Sequence, residues 1–151
     1  NSVIAGIFSV SPARDALVAI DLCLYRGDTW EQPISRLGNL TGYERIWITA
    51  KADKSDADSA AAFQVLLSDP PVATDGLQII NGAVAATPGN AEITIVDLGQ
   101  GQIMVRIEAE ETAKLEGTDK LYYDVQWDDG SDIESPLRGR LNVVSDVTRA
   151  V

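Results

Sequence analysis

Apolar and polar residues alternate with a period of two along several stretches of this chain. That pattern restricts the fold more than any other feature, because only a β-strand sends successive side chains to opposite faces. In Leu121–Asp128, Leu121, Tyr123, Val125 and Trp127 fall on one face, with Tyr122, Asp124, Gln126 and Asp128 on the other. Gln102–Glu108 sets Ile103, Val105 and Ile107 against Gln102, Met104 and Arg106. Tyr43–Lys51 sets Ile46, Ile48 and Ala50 against Arg45, Trp47 and Thr49. Arg140–Val144 reads as a last strand with Leu141 and Val143 inward, and Val18–Tyr25 and Thr29–Ile34 supply strands near the start. Ala91–Leu98 opposes Thr94, Val96 and Leu98 to Ile93 and Ile95, so both of its faces are expected to be covered.

Turn residues separate these runs: Asn39–Leu40–Thr41–Gly42, Pro88–Gly89–Asn90, Gly99–Gln100–Gly101 and Asp129–Gly130. Asp129–Gly130, between two alternating runs, is expected to close a hairpin. Short strands at this spacing point to a sandwich or a barrel. Parallel βαβ units are excluded, since the crossover helices they need are absent from the pattern. Ser55–Asp56–Ala57–Asp58 resembles a capping box ahead of three alanines and predicts a helical turn or two near residues 55–62. Phe63–Leu67 then reads as a strand ended by Pro70–Pro71, Leu77–Ile80 as another, and Glu110–Leu115 as a second helical turn.

With 151 residues the chain suits one domain, and one large enough to bury a core without metal or disulfide staples. Its 23 acids outnumber its 12 bases for a formal charge of −11, which disfavours both phosphate backbones and anionic membrane surfaces as partners. The excess is uneven: residues 1–50 hold five acids and four bases, leaving 18 acids and eight bases for residues 51–151. The nearly neutral first third is therefore the expected ground for contacts. No stretch approaches the ~20 apolar residues of a membrane span, and Val3–Phe8 lacks the charged flank of a signal peptide. The first residue is Asn1 rather than Met, so residues upstream are expected to be missing.

Catalytic chemistry finds little to work with. Histidine is absent, which removes the commonest general base and zinc ligand. Cys23 is the single cysteine and is expected to be a small buried hydrophobe. No phosphate-binding or dinucleotide fingerprint occurs. No carboxylate pair stands out for glycoside hydrolysis, so no enzyme and no catalytic, cofactor-binding or metal residue is assigned. Asp128, Asp129, Asp132 and Glu134 could offer hard oxygen ligands to calcium, but their spacing is not that of an EF-hand, and a solvated hairpin tip is the expected reading. Trp30, Trp47 and Trp127 could form a sugar platform, though at least two are expected in the core. Arg26–Gly27–Asp28 spells an integrin-binding tripeptide and is expected to be a turn.

The chain also carries an ordered series of short motifs. Tyr25–Arg26–Gly27–Asp28–Thr29 comes first, followed by Leu40–Thr41–Gly42, the strand Ile46–Lys51 and Ser55–Asp56–Ala57–Asp58–Ser59–Ala60. Thr112–Ala113–Lys114–Leu115 precedes Tyr122–Tyr123–Asp124–Val125–Gln126, and the series closes with Gly139, Leu141, Val143 and Asp146–Val147–Thr148–Arg149. This series resembles the immunoglobulin-like domain of phage baseplate upper proteins and related prophage tail proteins, over roughly residues 20–149. The resemblance implies an all-β, antiparallel immunoglobulin-like β-sandwich with one or two short helical turns, preceded by an extension at residues 1–19. Residues 68–91 are longer than the corresponding connection and are expected to hold an extra hairpin. It further implies a non-enzymatic assembly module of a tail or baseplate, located in the virion, or in the bacterial cytoplasm when expressed from a prophage. Its expected partners are other virion proteins or a second copy, with no cofactor. A carbohydrate-binding β-sandwich is the competing expectation; exposed aromatics on one face near a groove would favour it.

Overall fold

The computed structural model describes residues 18–115 and 120–145. Eleven strands run through these residues: β1 (Val18–Ala19), β2 (Leu22–Tyr25), β3 (Trp30–Ile34), β4 (Arg45–Lys51), β5 (Phe63–Ser68), β6 (Gly76–Ile80), β7 (Ala83–Val84), β8 (Ala91–Asp97), β9 (Gln102–Ile107), β10 (Lys120–Asp128) and β11 (Ile133–Val144). Helix among the described residues is limited to the single turn α1 (Ala109–Thr112) and to 3-10 turns at Asp58–Ala60 and Pro88–Asn90.

The strands form two layers. β3, β9 and β8 make the smaller sheet, in that order. The larger runs β11–β10–β4–β5–β6–β7, with β1 and β2 both laid along the free side of β11. A sheet in which the last two strands and β4 are widened by the next two, facing the third, ninth and eighth, has the strand arrangement of a variable-type immunoglobulin domain. The chain is an all-β, immunoglobulin-like sandwich. One feature departs from the antiparallel expectation: β1 and β2 run parallel to β11, with Val18 opposite Leu137 and Leu22 opposite Leu141. Parallel neighbours need a long return path, and here nearly the whole domain intervenes.

The core lies between the layers and follows the alternation. Ile46, Ile48, Ala50, Val65, Val125 and Leu141 are fully buried from the larger sheet, and Ile103, Val105 and Ile107 from the smaller. Leu121, Tyr123 and Val143 join them. Trp30 of β3 meets Phe63 of β5 edge to face, 5.9 Å between ring centres, and so ties one sheet to the other by aromatic packing.

Several expectations are corrected. β8 is covered on one face only: Ile93 is buried, but Thr94, Val96 and Leu98 are exposed, because β8 is the edge of a sheet with nothing described packed over its outer side. Cys23 is exposed, because the alternation along β2 gives the inward place to Leu24. The helix expected over residues 55–62 shrinks to a 3-10 turn without a side-chain cap. The Asp53 carboxylate accepts bonds from the Ser55 N–H and hydroxyl at 3.0 and 2.9 Å, a local turn that competes with helix. By residue 62 the backbone is already paired with β4, the Ala62 N–H donating to the Ala50 carbonyl at 2.7 Å. The stretch 68–91 contains a hairpin, β6–β7, turned by Asn81 and Gly82, both at positive φ. Residues 1–17 of the expected extension lie outside the described residues, and the expected boundary at residue 19 falls at the break between β1 and β2.

That break is specified by three residues on adjoining strands. A side chain at Gly139 would bring its Cβ to 2.0 Å from the Ile20 carbonyl oxygen, so β11 needs glycine there for the edge to approach. The Ile20 N–H donates to the Arg138 carbonyl at 3.0 Å, and the Tyr123 hydroxyl donates to the Ile20 carbonyl at 2.6 Å. Desolvation, helped by the nearby Asp21 carboxylate, pushes the Tyr123 phenol up to about 12.

Two outcomes are expected. Val125→Ala removes two fully buried methyl groups beside Ile48 and Leu137, so urea titration should show a loss of about 1–3 kcal/mol. Tyr123 is stabilising only as the protonated phenol. Its folded value lies above the ordinary 10.0, so that contribution is complete below pH 10 and disappears as pH rises through about 12. Denaturation midpoints measured across this range should fall for the native chain and fall less for Tyr123→Phe; equal slopes would show that Tyr123 is not the titrating group.

Candidate functional site

The outer face of the larger sheet carries a concavity. Cross-strand pairing sets side chains there in rows. Arg140, Tyr122 and Lys51 are neighbours across β11, β10 and β4; two residues along, Arg138, Asp124 and Thr49 form the next row. These residues line a groove of about 430 Å³, closed at its sides by Asp21 and Lys54. The Lys54 ammonium stands 5.0 Å from the centre of the Tyr122 ring, so the aromatic ring forms a floor with a cation above it. Lys51 Nζ pairs with Asp58 Oδ1 at 2.8 Å. Asp124 is half-buried among these groups, and desolvation raises its carboxyl above the ordinary range, partly offset by the charges of Lys51 and Arg138.

Beyond the groove the same face turns apolar. Trp47, Leu66 and Ile79 are half-buried there with no described element packed above them. Trp47 Nε1 donates to Gln126 Oε1 at 2.9 Å, and the Arg45 guanidinium lies 5.7 Å from its ring centre. A second depression of about 660 Å³ opens at the loop end of the sandwich, between the β3–β4 loop and the β10–β11 hairpin, with Trp127 and Arg36 in its wall.

The residues singled out in the sequence fall in different places. Asp128 faces outward as expected but is only 3% exposed, because Arg45 Nη2 and Nε cover it, at 2.6 and 3.1 Å from Oδ2. Asp129 Oδ1 accepts from the N–H groups of Ser131 and Asp132, both at 2.9 Å, which hold its carboxyl below the ordinary range. Two members of the acidic run thus serve an ion pair and a turn. Among the described residues no three acids or thiols come together as a metal site.

The three tryptophans do not share a face. Trp30 is in the core, Trp127 packs against it with Nε1 donating to the Leu37 carbonyl at 3.1 Å, and only Trp47 reaches the outer surface. The Arg26–Gly27–Asp28 tripeptide is a clamped turn. Gly27, at φ 86°, donates its N–H to Thr112 Oγ1 at 3.0 Å, and the Thr112 hydroxyl donates to the Asp28 carbonyl at 2.8 Å. Arg26 Nε donates to the Leu115 carbonyl at 2.8 Å. Sequence reasoning missed the basic groove. Its only local signal was Arg138 and Arg140 two apart on one strand, and the approach of Lys51 and Lys54 depends on sheet register.

No family model matches the chain, and no curated protein matches it. Among solved structures, the extracellular domain of the voltage-gated sodium channel beta4 subunit, determined as parallel homodimers and connected there with cell–cell adhesion, is similar at 12% identity. The match covers 85% of this chain and 92% of that one with a TM-score of 0.42. So distant a likeness carries no argument, and the immunoglobulin-like assignment rests on the strand order itself.

Proposed function

We propose that this domain is a non-enzymatic structural module of a phage or prophage tail or baseplate, working by protein–protein contact with other virion proteins or a second copy. The observation that carries the contact reading is the outer face of the larger sheet, over which no described element packs. Half-buried Trp47, Leu66, Ile79 and Tyr122 share it with arginines, and large aromatic groups with arginine characterise the centres of protein interfaces.

The tail assignment is supported by the ordered motif series; several of its members form turns or close approaches of the sandwich, and Asp146–Val147–Thr148–Arg149 lies outside the described residues. Tyr25–Thr29 is the clamped turn into β3, Leu40–Thr41–Gly42 the turn before β4, and Gly139 the close approach of β1 and β2. A family recognised by such residues is one defined by its scaffold rather than by reactive groups. A carbohydrate-binding module is the competing reading: Trp30 and Trp127 lie away from the outer face, while Trp47 and Tyr122 share it beside the groove.

Mass spectrometry of purified phage particles from the producing host tests this reading. The chain should be present in fixed proportion to the tail proteins and should co-sediment with tails after particle disruption. Its confinement to the soluble fraction, together with oligosaccharide binding on a glycan array, would replace the assembly reading with the carbohydrate one.

A further inference from the structure

We propose that the groove across β11, β10 and β4 is a docking site for an extended acidic segment of a partner protein, with carboxylates at alternate positions. The inference rests on the reading that the domain works by protein contact. Acids outnumber bases nearly two to one in this chain, so an exposed cation has ample carboxylates to pair with. Several described cations do pair: Arg45 with Asp128, Lys51 with Asp58, Arg106 with Glu31 and Glu108, and Lys114 with Glu111. Around the groove the side chains of Arg138 and Arg140 are in none of these close pairs, and Arg138 stands opposite the half-buried Asp124 of β10. Lys54 there contacts only the Tyr122 ring. Arg138, Arg140 and Lys54 are thus gathered at one concavity of a strongly acidic molecule, with Asp124 the carboxylate set directly opposite Arg138.

The local carboxylates are outnumbered. With Lys51 assigned to Asp58, Asp21 and Asp124 face three cations, Lys54, Arg138 and Arg140.

Spacing identifies the occupant. Arg138 and Arg140 stand two apart on one face of β11, about 6.8 Å along the strand, which is the repeat of alternate side chains in any extended chain. Carboxylates at alternate positions of an extended segment can each meet one guanidinium, a pairing favoured by the planar fork of arginine. Tyr122 lies beside Arg140 and supplies an apolar floor for the stem of a glutamate. Nucleic acid is the disfavoured occupant, because the excess of negative charge elsewhere on the molecule repels a long polyanion.

Fluorescence anisotropy on the isolated chain tests the site without reference to any virion. The probes are a labelled peptide alternating glutamate with serine, a peptide of the same composition with its glutamates contiguous, and a single-stranded oligothymidine. The alternating peptide should bind most tightly, weaken as salt rises, and lose about tenfold or more in affinity to the double variant Arg138→Ser, Arg140→Ser. Both side chains are exposed, so the variant should keep the native melting temperature. Equal binding of the two peptides, unchanged binding by the variant, stronger binding of oligothymidine, or no binding of any probe would each overturn the proposal. Presence of the chain in virions with no peptide binding would sink this site alone; peptide binding with absence from virions would sink only the tail assignment.

Discussion

The position of β10 governs the rest of the molecule. It is the one strand that pairs with β11 on one side and β4 on the other over nearly its full length, so its alternation sets the faces of both neighbours. A slip of one residue would turn Leu121, Tyr123 and Val125 out to water and bring Asp124 and Gln126 into the core, a cost no local contact could offset. The pairing with β11 is interrupted once, by an irregularity between Val125 and Trp127. Trp127 beyond it remains partly inward, and Asp128 ends beneath Arg45.

Domains of this architecture in antibodies carry a disulfide between the sheets. This chain has one cysteine, on the surface, and the layers are joined by burial instead, with Trp30 against Phe63 at the centre. The end containing α1 is secured separately by polar contacts. Thr112 bonds both flanks of the Arg26–Asp28 turn, and buried Glu111 accepts from Asn90 Nδ2 at 2.7 Å while its other oxygen lies 3.1 Å from Lys114. The Asn81 amide also reaches the Lys114 carbonyl. One short connection thereby fastens the chain before β3 and the chain before β8 to the far end of the sandwich. Among the described residues, the broad sheet face takes no part in this fastening.

Strand content and inward faces were legible because alternation is a local property, and a covered sheet face leaves the same mark wherever it occurs. Asn81–Gly82 is legible too, a turn pair suited to tight hairpins within the stretch expected to hold an extra one. Other features could not be read in this way. Asp128 looks like a surface acid until Arg45, 83 residues away, is laid over it. Cys23 sits in an apolar run, and only the edge position of β2 shows that one side of that run faces outward. The groove has the same origin: its cations come from two distant parts of the chain, and register alone gathers them.

The parallel seam of β2 on β11 has a consequence for how the chain reaches this state. Leu22 lies opposite Leu141 and Tyr25 opposite Val144, so the first edge of the larger sheet has no place to dock until the last strand exists. Contacts so distant along a chain are slow to form. During synthesis the residues of β2 emerge early and must wait for almost the entire domain to be made. In that interval Leu22 and Leu24, later packed inside, are exposed to whatever else is nearby, and a strand awaiting its partner is prone to pair with the wrong one. The nascent chain is thus most vulnerable to misassembly just before it is complete, and closing this seam is the step that ends the risk.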